Sequence, residues 1–293
     1  MDHCFHLANV FEGARILFRG NAVDLDSPIE KRVASAADSA KPRRAARMVE
    51  VARVEELSPM MRRIHFKGEA LAGFDKGLPA SYIKLGFPEP GMSAPAIPTA
   101  DGPRPLMRTY TPRSFDTHGQ VLAVDFVLHG TGPAATWAAG ATPGQRLLVM
   151  GPGPGYQLDK SATRWLLIGD ESALPAIETI LEQIRTDAKV DVLVEIVNVE
   201  EKRMLGPIEI ADIQWTLRGN DASRAGESLL TALQQQQRRP STGVRVYLAC
   251  EASAMRRIKQ WLIANWQIEP ANIVGRGYWK LDSINHPDQD YGD

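Results

Sequence analysis

Between Met48 and Met150 the apolar residues come in short runs, several of them alternating with polar ones. Val49–Val54, Arg63–Phe66, Ser81–Gly86, Thr109–Arg113, Val121–Leu128 and Arg146–Met150 are strand-length segments, and Gly- and Pro-bearing turns such as Glu89-Pro90-Gly91 and Thr142-Pro143-Gly144 separate them. Six short strands in such a span predict a closed or nearly closed antiparallel barrel. The pattern changes after Tyr156. Trp165–Gly169 reads as a buried strand, and Ser172 is placed to cap a helix whose stripe holds Ala173, Ile177, Ile180, Leu181 and Ile184. Pro175 falls in the first turn, where its missing N–H costs little. Val190–Val199 and Arg245–Cys250 read as further strands, the latter leading into a helix that turns Ala254, Ile258, Trp261 and Leu262 inward. Strand–helix alternation predicts a parallel α/β sheet. The expected organisation is therefore a six-stranded antiparallel barrel over residues 46–155 and a parallel α/β domain over 156–284. Residues 1–45, where an apolar segment from Phe5 to Phe18 gives way to Ala/Ser-rich sequence, read as an extension or a docked arm, and the acidic residues 285–293 as a loose tail.

Length and charge fit this picture. At 293 residues the chain suits two domains, and 44% apolar with 24% charged residues is a globular balance. A formal net charge of −1 argues against nucleic acid as a partner. Cys4 and Cys250 make neither a disulfide framework nor a metal site, which suits a reducing cytoplasm. No apolar run approaches the roughly 20 residues that span a bilayer, and no secretory leader pattern opens the chain.

Candidate chemistry lies in two places. In Leu106–Arg113, strand periodicity puts Arg108 and Tyr110 on one face, so a flat ring and a fixed cation point the same way. Two glycine-rich segments compete for a phosphate. Gly151-Pro152-Gly153-Pro154-Gly155 follows a strand but no helix pattern comes after it, so it reads as a turn between the domains. Gly130-Thr131-Gly132-Pro133-Ala134-Ala135-Thr136-Trp137 follows a strand and puts Pro133 at a first helical position, where free amides attract an anion.

The Arg108-Thr109-Tyr110-Thr111 element resembles the flavin signature of ferredoxin-reductase-like barrels, and with Pro112 and Arg113 it resembles the siderophore-interacting proteins, FAD-containing ferric-siderophore reductases. Four more segments resemble that family in order: Asp125–Trp137, Gly169–Ile177, Tyr247–Met255 and Gly275–Lys280. The third departs from the family by carrying Cys250 where glycine is usual. The resemblance covers about residues 48–281.

It implies FAD held by Arg108, Thr109, Tyr110 and Thr111. Asp125, Val127, Leu128 and His129 would then stand at the flavin end, and Ala134, Thr136 and Trp137 around the pyrophosphate. It further implies a nicotinamide site opened by Asp170, Glu171, Ser172 and Ala173, and a basic trio, Lys84, Arg276 and Lys280, that receives a ferric siderophore. Catalysis would rest on the flavin, with no catalytic side chain and no resident metal. The donor is open among NADPH, NADH and ferredoxin: Glu200 and Glu201 would repel a 2′-phosphate that Lys202 and Arg203 would attract, and the family favours NADPH. A general NAD(P)H–flavin or ferredoxin reductase, and a non-catalytic siderophore-binding protein, are the competing readings.

Overall fold

The computed structural model describes residues 45–98, 102, 105–129, 132–206, 211–236 and 243–283, so the expectations for the extension, for the acidic tail and for Gly130 and Thr131 lie outside the described residues. The first half of the chain is an antiparallel sheet of seven strands: β1 (Ala46–Ser58), β2 (Met61–Lys67), β3 (Ile83–Phe87), β4 (Leu106–Tyr110), β5 (Pro112–Asp116), β6 (Val121–Val127) and β7 (Arg146–Met150). Their order is β4-β3-β7-β1-β2-β6-β5, a curled half-barrel. The expected count of six is corrected to seven because the Thr109–Arg113 run breaks at Thr111. β4 completes its ladder with β3, Pro112 has no N–H to continue it, and β5 pairs with β6 at the opposite edge. One continuous stretch of chain thus supplies both edge strands. Helix α1 (Pro133–Ala139) follows β6 and packs Ala134, Ala138 and Trp137 against the barrel core of Ile64, Phe66, Leu85, Phe126 and Leu147.

The second half is a five-stranded parallel sheet of β8 (Arg164–Asp170), β9 (Lys189–Ile196), β10 (Ala211–Leu217), β11 (Arg245–Glu251) and β12 (Ile273–Trp279), in the order β10-β9-β8-β11-β12. β10 and β12 were not foreseen as strands. β10 is an edge strand of mixed polarity, and β12 carries two glycines inside a run that reads first as a motif. Helices α2 (Leu174–Leu181), α3 (Glu227–Gln235) and α4 (Ala252–Trp266) cover the sheet.

Strand β6 explains how the halves meet. Leu122, Val124 and Phe126 point into the barrel core, while Val127 packs, with Met61 and Leu57, on the core of the parallel sheet. Its near-continuous apolar run is therefore that of a strand buried on both faces. Helix α2 is buried all round for the same reason: one side lies on the sheet and the other faces the barrel, where Thr179 accepts from the Ala80 amide at 3.0 Å. The Gly151–Gly155 segment runs between β7 and β8 with no helix, and Gly153 is small because the Tyr82 ring lies against it.

Gly169 closes β8 where α2 comes nearest. A Cβ there would stand 2.6 Å from the Ala173 Cβ and 2.9 Å from the Ala249 carbonyl oxygen, so the helix could not keep its distance. Gly169→Ala should destabilise the protein by about 1–3 kcal/mol, the usual cost of overpacking, measurable by denaturant unfolding; an unchanged midpoint would mean that α2 is free to shift.

Candidate functional site

The strand break at Thr111 lies where the two halves touch. Cross-strand pairing sets Tyr110 opposite Ile83 and Arg108 opposite Leu85, and both partners are core residues, so Arg108 and Tyr110 share the core-side face while Thr109 and Lys84 pair on the other. The Tyr110 ring lies 4.5 Å from that of Phe126, and Trp137 stands 5.5 Å from Phe87 and 6.0 Å from Phe126, so both rings brace the barrel wall. Burial pushes the Tyr110 hydroxyl above its ordinary range, so it stays protonated at neutral pH. Thr111 is buried beside the Tyr278 hydroxyl of β12, which lies 2.7 Å from the Tyr247 hydroxyl of β11. This neighbourhood puts Tyr278, on the strand that carries Arg276, near the chain just after Tyr110.

A second contact is ionic. Asp125 of β6, with its side chain sealed from solvent, takes a two-pronged bond from Arg63 at 2.7 and 2.9 Å and lies 3.5 Å from Arg203. Glu178 of α2 accepts from Arg113 at 2.9 Å and Arg203 at 3.1 Å, and Arg113 reaches Glu182 at 2.6 Å. Glu201 accepts from Ser58 and from the Met60 amide. Glu201 and Arg203, weighed above for a 2′-phosphate, are thus spent on the seam between the halves. The cations that rim an opening lie elsewhere: Arg218 and Arg224 line a groove of about 320 Å³ between β10 and α3, with Thr216, Ser228 and Thr231.

The C-terminal edge of the parallel sheet is acidic. β8, β9 and β11 end in or near Asp170, Glu195 and Glu251, all buried, with Glu171 directly after Asp170. Asp170 accepts from the Ser172 amide (3.0 Å), the Glu251 amide (3.2 Å) and the Trp279 indole (2.8 Å). Glu251 caps α4 through the Ala254 amide at 2.7 Å, and Glu195 accepts from the Gly226 amide at 2.9 Å, just before α3. Glu171 has instead the Arg218 guanidinium, at 3.1 and 3.2 Å, and Arg218 is shared with Glu195 at 3.3 Å. Burial first and the Asp170 charge second push the Glu171 carboxyl up to about 7, against the pull of Arg218, and burial raises Asp170 too. His129, whose surface is open to solvent, feels Asp170 and Arg218, and crowding by neighbouring atoms lowers its proton affinity.

Of the expected nucleotide residues, then, Asp170, Glu171 and Ala173 are buried within the α/β half and Ser172 is the more open one. Of the expected flavin residues, Val127 and Leu128 pack into the two cores and the Asp125 side chain serves the seam, while Thr109, His129 and Thr136 are exposed. The α1 start is open: Gly132 caps it without a side chain, and a Cβ built there meets nothing within 4 Å. An uncapped first turn, the half-buried Arg108 and exposed Thr136 suit a phosphate-bearing ligand, and in that sense these residues fit an FAD. Arg63, Arg203, Arg218 and Glu195 carry no local motif, so only their partners on distant strands identify them. Among the described residues no cluster of His, Cys, Asp and Glu could hold a metal, and no helix is long and apolar enough to cross a membrane.

Two outcomes follow from these charges. Asp125→Ala takes the two-pronged partner from Arg63 and leaves Glu178 to serve Arg63, Arg113 and Arg203 together, and should cost about 3–5 kcal/mol in denaturant unfolding; a loss under about 1 kcal/mol would mean that water replaces the carboxylate. Glu171 binds its proton more tightly folded than at its ordinary 4.5, so its contribution is full below that pH and fades as pH rises through about 7. Wild type should therefore lose up to roughly 3 kcal/mol relative to Glu171→Gln between these limits. His129 acts in the opposite sense at lower pH but is common to both proteins and drops out of the difference.

Comparison with known proteins agrees with this geometry. Residues 50–156 match the siderophore-interacting FAD-binding domain and residues 162–282 the siderophore-interacting protein domain. The chain is similar to ferric vibriobactin reductase ViuB of Vibrio cholerae, 30% identical over 243 residues, covering 80% of this chain and 89% of that one. It is also similar to the NADPH-dependent ferric-chelate reductase of Escherichia coli, 28% identical over 80% of this chain and 92% of that one. A solved siderophore utilization protein from T. fusca superposes with a TM-score of 0.75 at 32% identity, covering 83% of this chain and 96% of that one. With an antiparallel half-barrel matching the FAD-binding domain, and a parallel sheet joined to it at the Thr111–Tyr278 contact, this chain belongs to the siderophore-interacting protein family.

Proposed function

We propose that this protein is a cytoplasmic ferric-siderophore reductase that uses bound FAD to pass electrons from a pyridine nucleotide to chelated Fe(III). The observation that carries the reading is the pairing, in one chain, of the FAD-binding domain with the siderophore-interacting domain, joined where the Arg108–Thr111 strand meets β12. FAD supplies what no side chain here can: it accepts electrons as a pair and gives them up one at a time, as ferric iron requires.

The chain's own residues bind and orient. Arg108 and the first turn of α1 meet the phosphates, and Thr109 and Tyr110 flank the flavin, with Tyr110 fixed by Phe126. Thr136 is exposed at the same helix start. Lys84, Arg276 and Lys280 attract an anionic ferric chelate to the opening. Fe(II) holds hard oxygen donors less tightly than Fe(III), so reduction loosens the metal from its siderophore. NADPH is the favoured donor: a relative bears that name, and Arg218 and Arg224 rim a groove near the C-terminal edge of the sheet.

Three outcomes test this. Heat should release mainly FAD from the holoprotein, identified chromatographically; FMN would overturn the pyrophosphate assignment. Thr136→Asp should weaken cofactor retention, because a carboxylate would face a phosphate. Replacing Lys84, Arg276 or Lys280 with alanine should raise KM for an anionic ferric chelate by roughly 5- to 150-fold, the equivalent of about 1–3 kcal/mol for a charge-assisted contact, with flavin content and reduction by NADPH near normal. Salt should shrink the effect. Faster turnover of free flavins than of ferric chelates would favour a general flavin reductase, and a colourless protein that retains ferric chelate would favour a carrier.

A further inference from the structure

The chain on either side of Lys280 is tied down residue by residue. Along β11 the register pairs Ala249 with Arg276, Cys250 with Gly277 and then Glu251 with Trp279, so Tyr278 is an extra residue, a β-bulge at the C-terminal end of β12. Side chains of a regular strand alternate faces, and a bulge re-aims those that follow it. The Tyr278 hydroxyl meets that of Tyr247 at 2.7 Å. The Trp279 indole instead reaches past β11 and donates to Asp170 of β8 at 2.8 Å. Beyond Lys280, the Leu281 amide points at Glu251 from 3.4 Å, and the Ser283 amide returns to the Lys280 carbonyl at 3.2 Å. That turn holds Asp282 at φ 59°, a left-handed conformation that costs energy for any residue but glycine.

The anchors are themselves immobile. Asp170 and Glu251 are buried, and each is fixed by further bonds: Asp170 takes the Ser172 amide at 3.0 Å and the Glu251 amide at 3.2 Å, and Glu251 takes the Ala254 amide at 2.7 Å. A carboxylate held in this way makes a strong acceptor for the indole. Lys280 is treated differently. Its side chain is exposed, and among the described residues no carboxylate takes its ammonium group, although both of its neighbours in sequence are tied to acids.

Ending a strand requires neither an indole anchor nor a left-handed turn. These features have a use if the direction of the Lys280 side chain matters. A lysine carries its charge on a flexible four-carbon stem, so fixing its backbone is what confines the ammonium group to one region, and confinement before binding lowers the entropy lost on binding. We propose that Trp279, through its bond to Asp170, is a positioning residue that sets where Lys280 meets an anionic ferric chelate. The inference rests on the reductase reading, in which Lys280 belongs to the trio that receives the substrate. It assigns Trp279 no contact with the chelate, and it gives Asp170 a task on the substrate side of the protein.

A double-mutant cycle on the full-length holoprotein tests it. The substrates are the ferric EDTA complex, an anion, and the neutral ferric tris-acetohydroxamate. Trp279→Phe keeps an aromatic ring and removes the N–H. It should raise KM for the anionic complex by roughly two- to tenfold, within the range of coupling between residues in contact, while kcat, flavin content and KM for the neutral complex stay near wild type. In a Lys280→Ala background the same substitution should leave KM unchanged. An equal rise in both backgrounds, an equal rise for the neutral complex, or no rise at all would overturn the proposal. Should Trp279→Phe not fold, Asp170→Asn takes its place in the cycle with the same expected outcome. Its side-chain oxygen still caps the Ser172 turn, and its amide group presents a donor to the indole donor, so the bond is lost. A rise in KM with Lys280→Ala but not with Trp279→Phe sinks the positioning role alone. An unchanged KM in Lys280→Ala removes Lys280 from the substrate site and takes the proposal with it, and failure of wild type to reduce either chelate overturns the reductase reading itself.

Discussion

A carboxylate without access to water holds the two halves of this protein together. Asp125 points away from the barrel core on a strand whose other face forms that core, and Arg63 and Arg203 close over it. Burying a charge is costly unless it is paired and hydrogen-bonded, so the barrel and the sheet must approach in the one arrangement that brings both arginines to it. Glu178 imposes the same condition on α2, by joining Arg113 of β5 to Arg203 after β9. An apolar seam alone would tolerate sliding. A seam with fixed charges specifies a register.

That register decides what the break in the antiparallel sheet can do. Thr111 sits between two edge strands, and because the halves are held in place its hydroxyl meets that of Tyr278. The strand that ends at Tyr110 and the closing β-strand of the parallel sheet therefore share a boundary, and beside it Tyr110, Phe126 and Trp137 carry the heavy packing.

The acidic sheet edge follows from a different rule. Parallel strands deliver their C-terminal ends to one rim, and the helices that follow begin there. An acid at a strand end caps its helix and is stabilised by it, so several carboxylates can gather on a rim that would otherwise repel them. The arrangement has room for a limited number of anions. Glu171 follows Asp170 and has only its own amide and a shared guanidinium, so burial and the neighbouring charge push its carboxyl up to about 7.

Local pattern determined much of this on its own. The short alternating runs of the first half and the strand–helix alternation of the second follow from side-chain period, which is a property of consecutive residues. The shared face of Arg108 and Tyr110 follows in the same way. So does the expectation that Gly151–Gly155 would be followed by no helix, since a helix start needs a pattern that sequence shows directly. What the sequence could not carry were relations between residues far apart in the chain. Nothing near Arg203 indicates that it answers Asp125 and Glu178, and its neighbours Glu200, Glu201 and Lys202 invite a different reading. Nothing near Thr111 indicates Tyr278, and the charge on Glu171 depends on Arg218, which lies far along the chain and is shared with Glu195 of another strand. Periodicity is set by bond geometry over a few residues, whereas the partner of a buried charge is set by which strands become neighbours, and only the folded sheet decides that.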